Sequence, residues 1–171
     1  MIIGHKELKG LRKKHIGQKI VFCSGCFDLT HAGHALFLED CKKQGDILVV
    51  MVGADEEIVY YKGPERPILN ESLRLKMIDF LKPVDYALLT MEAYKTKEQP
   101  LSPIETTFKE LKPDVYVVNA DAFNIPYRQE LAEKYSVKML ILDRACPPEF
   151  DGVSTSKILS KIQNSSENKR K

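Results

Sequence analysis

The stretch Lys19-Ile20-Val21-Phe22-Cys23-Ser24-Gly25-Cys26-Phe27-Asp28-Leu29-Thr30-His31-Ala32-Gly33-His34 decides the fold. From Ile20 to Cys23 it is apolar without alternation, as a strand covered on both faces reads. Gly25 marks a turn. From Ala32 to Gln44 a helical pattern puts His34, Leu38 and Cys41 on one side, and Gly45 stops it. A strand that passes through a glycine turn into a helix opens a parallel α/β sheet. Ligands of such sheets bind at the carboxyl ends of the strands, so Ser24 to His34 is where a site is expected.

The same pattern repeats outward from this unit. Asp46 to Gly53, Asp114 to Asn119 and Lys138 to Leu142 are further apolar runs, and Asp85 to Leu89 is a weaker one. Helical patterns lie between them. Asn70 to Lys82 spaces Leu73, Met77 and Leu81 by four, with Asn70 as its cap and Pro83 as its end. Pro103 to Leu111, Pro126 to Tyr135 and Ser154 to Ile162 are the others. The polar segment Lys95 to Pro103 reads as a surface loop. We expect one α/β domain over residues 1–163, with a core over 18–162 and a flexible polar tail over 164–171.

Composition narrows the class. The 171 residues are 43% hydrophobic and 29% charged, with a net charge of +2. Charges of both signs are interspersed, which argues against nucleic acid as the main partner. No apolar run approaches the roughly 20 residues that span a bilayer. Met1 to Gly17 is basic but is followed by no long apolar stretch, so it does not read as a signal peptide. A cytoplasmic location is the expectation, and the four cysteines should then be reduced.

His31-Ala32-Gly33-His34 carries the chemistry. Two imidazoles three residues apart share one side of a helix's first turn. A helix N-terminus offers free N–H groups and partial positive charge, which suit phosphate. Gly33 lets a ligand approach the backbone. The two histidines can donate to phosphate oxygens as charge builds up in a transition state. A bare H-x-G-H is more often two unrelated histidines, and its place after a strand and a Gly-Cys-Phe-Asp turn reverses those odds. H-x-x-H also suits a metal, but no third ligand is evident nearby. Cys23-Ser24-Gly25-Cys26 supplies a rival, a C-x-x-C thiol-redox or zinc protein. Against it, a redox C-x-x-C opens its helix with the first cysteine, and here the helix opens near His31.

Gly25-Cys26-Phe27-Asp28-Leu29-Thr30-His31-Ala32-Gly33-His34 resembles the G-x-F-D-x-x-H-x-G-H signature of the cytidylyltransferase-like nucleotidyltransferases. Gly152-Val153-Ser154-Thr155-Ser156-Lys157-Ile158 is similar to that family's G-I-S-T-[ST]-x-I motif, and Lys62-Gly63-Pro64-Glu65-Arg66-Pro67-Ile68 to its K-G-P loop. The resemblance runs from about Ile20 to Ile158. It implies a Rossmann-like parallel sheet flanked by helices and a short N-terminal helix within residues 1–17. It also implies transfer of a nucleotide from a triphosphate to a phosphorylated small molecule, with release of pyrophosphate.

Within the family the chain resembles the branch that adenylylates D-glycero-β-D-manno-heptose 1-phosphate, then the cytidylyltransferases of glycerol 3-phosphate and aminoalcohol phosphates. The resemblance implies that His31, His34 and Lys62 are catalytic. It places Gly25, Cys26, Phe27, Asp28, Gly33, Arg74, Asn119, Asp121, Ser154, Thr155 and Lys157 around the nucleotide. Mg²⁺ is expected on the triphosphate, held mainly by its phosphates and by no protein metal site. A homodimer is implied as well. A non-catalytic nucleotide sensor on the same fold is a further alternative, which retention of both histidines, Lys62 and Thr155 disfavours. Asn119 to Phe123 and Arg144 to Asp151 depart from the family pattern, so substrate choice is expected there.

Overall fold

The computed structural model describes residues 1–90, 101–143, 147 and 153–167. Arg144, Gly152, the segment Lys95 to Pro100 and most of Arg144 to Asp151 lie outside the described residues.

Among the described residues five strands form one parallel sheet: β1 (Ile20–Gly25), β2 (Ile47–Val52), β3 (Tyr86–Leu89), β4 (Val115–Asn119) and β5 (Lys138–Leu142). Their order is β3-β2-β1-β4-β5. Among the described residues seven helices accompany them: α1 (Leu8–Lys14), α2 (Ala32–Lys42), α3 (Asp55–Lys62), α4 (Glu71–Asp79), α5 (Ser102–Leu111), α6 (Ile125–Lys134) and α7 (Thr155–Glu167). A single 3-10 turn, His5–Glu7, leads into α1.

The unalternating apolar strands are explained by two cores. On one face Ile20, Phe22, Val49, Met51, Tyr116 and Val118 pack with Leu8 and Leu11 of α1, Phe108 of α5 and Leu131 of α6. On the other, Val21, Cys23, Leu48, Val50 and Val117 pack with Leu38 and Cys41 of α2 and Leu75 and Ile78 of α4. Each such side chain contributes about 1.5–3 kcal/mol by leaving water. The central strand β1 pairs with β2 and β4, and the sheet order reverses beside it. That reversal opens a crevice at the strand ends, where α/β folds bind ligands.

Three elements differ from expectation. Helix α3 was not among the expected helices, although Asp55, Glu56 and Glu57 fill its first turn and suit the positive end of a helix dipole. In α4 the spacing of Leu73 and Met77 marks the outer face: both are exposed, and Arg74, Leu75 and Ile78 face inward. The arginine is drawn in by buried acceptors, which outweighs apolar periodicity. Helix α7 extends to Glu167 and so takes in residues 164–167, placed above in a polar tail. Asn70 caps α4 as expected, its Oδ1 accepting the Leu73 N–H at 3.0 Å.

Candidate active site

The turn after β1 is built against resistance. Phe27 and Leu29 take left-handed backbone angles, φ 52° and 46°. A bulky residue there costs roughly 1–2 kcal/mol. The surroundings hold it. The Phe27 ring lies over Gly25, where a Cβ would come within 3.0 Å of it. Asp28 is buried, and every lone-pair direction that matters is used. Its Oδ2 accepts from Arg66 Nε at 2.8 Å and from the Ile68 N–H at 2.9 Å, and its Oδ1 from the Leu69 N–H at 3.0 Å. Burial pushes the Asp28 carboxyl up, and the Ile68 and Leu69 amides with the Arg66 charge outweigh that, so its pKa falls below the usual carboxylate value. Asp28 therefore anchors the 63–69 loop to the turn.

Arg74, expected among the phosphate-binding cations, has no exposed surface. Each nitrogen of its guanidinium donates to protein: Nη1 to the Cys26 carbonyl at 2.7 Å, Nε to the Leu69 carbonyl at 2.9 Å and Nη2 to Asp55 Oδ1 at 2.6 Å. It braces the turn from below.

At the start of α2 the rings of His31 and His34 stack, with centroids 3.9 Å apart and planes 19° apart. Phe27 meets His34 edge-on at 5.5 Å. A Cβ at Gly33 would lie 3.0 Å from the His31 ring and 3.3 Å from the Val153 carbonyl oxygen. Gly33 thus admits the segment that leads into α7. That segment is tied down twice. Thr155 Oγ1 donates to the Asp28 carbonyl at 2.9 Å, and Ser154 Oγ accepts the Lys157 N–H at 3.3 Å as the cap of α7.

A cleft of about 350 Å³ opens beside this turn. Gly25, Cys26, Phe27, His34, Lys62, Asn119 and Asp121 line it, so seven of the expected residues meet there. His31 stacks on its wall through His34. Thr155 joins through the Asp28 carbonyl, with Ser154 next to it as the cap of α7, while Lys157 lines a separate hollow along α7 with Ser160 and Lys161.

The cleft holds side chains the sequence did not announce. Glu57 and Tyr61 come from α3, and Arg128 from α6. Arg128 donates to the Phe123 carbonyl at 2.7 Å, to Ser24 Oγ at 3.3 Å and to the Tyr116 hydroxyl. The Tyr61 and Phe123 rings meet at 4.6 Å, α3 on one side and the β4–α6 connection on the other. The acidic first turn of α3 was the available signal for Glu57. None existed for Arg128, whose partner Ser24 lies 104 positions away in sequence.

The thiol-redox alternative fails on burial. Cys23 has no exposed surface, and burial, then contact with Cys41, push its thiol well above the ordinary value. A reactive thiol needs the opposite shift. Among the described residues, no three His, Cys, Asp or Glu gather as a metal site, and no helix is long and apolar enough to cross a membrane.

An α/β sheet with stacked histidines at a strand-to-helix turn, beside a cleft of about 350 Å³, defines a nucleotidyltransferase-type protein. The chain belongs to the cytidylyltransferase-like family, whose model matches residues 22–161. It is 37% identical over 151 residues to the bifunctional protein HldE of Helicobacter pylori (strain HPAG1), covering 88% of this chain and 29% of that protein. It is 35% identical over 148 residues to HldE of Alcanivorax borkumensis, covering 86% of this chain and 28% of that protein. The chain therefore spans under a third of the length of these curated relatives. A solved lipopolysaccharide core biosynthesis protein from Thermoplasma volcanium shares the fold at TM-score 0.58 and 32% identity, covering 77% of this chain and 99% of the other.

Proposed function

We propose that the chain transfers a nucleoside monophosphate, from ATP in preference to CTP, to a phosphorylated small molecule and releases pyrophosphate. The acceptor we favour is a heptose 1-phosphate, the substrate of the branch it resembles. The observation that carries this reading is the stacked His31–His34 pair at the N-terminus of α2, braced by Phe27 beside the cleft. The likeness to HldE and to the lipopolysaccharide core protein supports a sugar phosphate over an aminoalcohol phosphate.

The chemistry is displacement at the α-phosphorus. The acceptor's phosphate oxygen attacks, a new P–O bond forms, and the bond to pyrophosphate breaks. A phosphate is already ionised, so positioning and charge neutralisation matter more than a general base. His31 and His34 donate to the oxygens that gain charge, joined by the free N–H groups of α2. Lys62, exposed at the cleft mouth, neutralises phosphate charge. Asn119 and Asp121, at the end of β4, contact the nucleoside. Ser154 and Thr155 hold the outer phosphates from the start of α7, and Lys157, on the hollow beyond, adds positive charge from the same first turn. Asp28 and Arg74 act by fixing the turn, as their bonding requires. Mg²⁺ arrives on the triphosphate, whose oxygens are its ligands. We further propose that the protein works in the cytoplasm as a homodimer, which cell fractionation and light scattering test.

The deciding experiment is a pyrophosphate-release screen of the four triphosphates against heptose 1-phosphate, glycerol 3-phosphate and ethanolamine phosphate. Turnover is expected with ATP and heptose 1-phosphate. The His34→Ala variant should lose about 10²–10³-fold in kcat. Full turnover by that variant would remove the histidine assignment, and transfer from CTP to glycerol 3-phosphate would favour the neighbouring branch.

A further inference from the structure

Two carboxyl groups near the site are treated differently by the fold. Asp28 spends both oxygens on four protein contacts from Arg66, Ile68 and Leu69. Glu57 does not. Its carboxyl is held by the Thr90 hydroxyl, yet Oε2 is buried and has no hydrogen-bond partner. Thr90 is itself fixed, its Oγ1 accepting the Ala54 N–H at 2.7 Å. A buried acceptor without a partner costs about 1–3 kcal/mol, so native folds rarely leave one without a use. Glu57 lines the cleft.

Gly53 sharpens this. It lines the same cleft, and a Cβ there would lie 3.2 Å from Glu57 Oε2. With no side chain at residue 53, nothing there crowds the unused oxygen. The ligand group that Oε2 would meet must be a donor. A hydroxyl and an ammonium both qualify. The surroundings choose between them, because the charges of Arg128 and Arg74 already act on Glu57 and Lys62 lines the same cleft. A further cation there would be repelled, whereas a hydroxyl would not.

We infer that Glu57 sets acceptor specificity: its Oε2 accepts a hydrogen bond from a hydroxyl of a polyhydroxylated phosphate whose phosphate end lies toward His34 and Lys62. The inference rests on the proposed nucleotidyl transfer for the identity of the site. Its test is direct binding, so that it stands or falls separately from turnover.

The measurement is calorimetric titration of the full chain with heptose 1-phosphate, methyl phosphate and ethanolamine phosphate. Wild type should bind heptose 1-phosphate more tightly than methyl phosphate. Glu57→Gln, which removes charge but not shape, should weaken heptose 1-phosphate about tenfold or more and methyl phosphate less than about twofold. Gly53→Ala, which crowds Oε2 while leaving residue 57 a glutamate, should show the same selectivity. A nonhydrolysable ATP analogue should bind both variants as it binds wild type. Equal losses for heptose 1-phosphate and methyl phosphate, or no loss, would overturn the inference. So would a selective loss of ethanolamine phosphate, which would make Glu57 an ammonium site. Absence of pyrophosphate release from every acceptor, with selective binding intact, would instead overturn the proposed reaction.

Discussion

Arg74 Nη1 donates to the Cys26 carbonyl oxygen at 2.7 Å, so a side chain in the middle of α4 holds the turn that follows β1. The contact makes a helix of the sheet's flank responsible for the geometry of the site. Replacing Arg74 with Met keeps the volume and leaves the carbonyls of Cys26 and Leu69 without their donor. A loss of about 3 kcal/mol is expected from those orphaned acceptors and the broken pair with Asp55. Urea denaturation measures it, and a change under about 0.5 kcal/mol would contradict the bracing role.

The Asp28 carboxyl titrates below its ordinary value in the folded protein. A depressed carboxylate contributes stability that is complete above the unfolded pKa, near 3.9, and is lost as pH falls through the folded one. Wild type should therefore weaken steeply below about pH 4 through this group. Asp28→Asn should be less stable at neutral pH and lose less of its remaining stability on acidification. Urea midpoints taken across the acid range compare the two slopes.

Gly33→Ala separates stability from function. Alanine is the better helix former by about 1 kcal/mol. Its methyl would meet the His31 ring and the Val153 carbonyl, both too close. The expected outcome is an unchanged or raised melting temperature with kcat/KM down by about tenfold or more, since small misplacements of reacting groups are costly. Parallel falls in both would mean that Gly33 serves folding alone.

The thiols should divide by burial. Cys23 and Cys41 have no exposed surface, whereas Cys26 is half-buried on the cleft wall. Iodoacetamide should label Cys26 in the native protein and Cys23 and Cys41 only in urea, read by peptide mass spectrometry. ATP should slow the labelling of Cys26, because a ligand in the cleft covers it.

The sheet was legible because its strands are covered on both faces, and that leaves Ile47 to Val52 apolar at every position. The histidine turn was legible because its residues are contiguous. Helix α3 was not, since a short helix with three acids and two tyrosines shows little apolar periodicity. The inward face of α4 was misread because Arg74 is buried by its acceptors, which no periodicity reports. Arg128 and Ser24 are separated by 104 positions, and only the folded sheet brings them together.

The bond from Thr155 to the Asp28 carbonyl joins positions 127 residues apart, and Val153 packs against Gly33 beside it. On a ribosome, all five strands emerge before Thr155 does. A nascent chain can therefore assemble its sheet and its histidine turn while the segment that clamps the turn from α7 is still unmade. The clamp on the histidine turn closes only after the sheet beneath it has been synthesised.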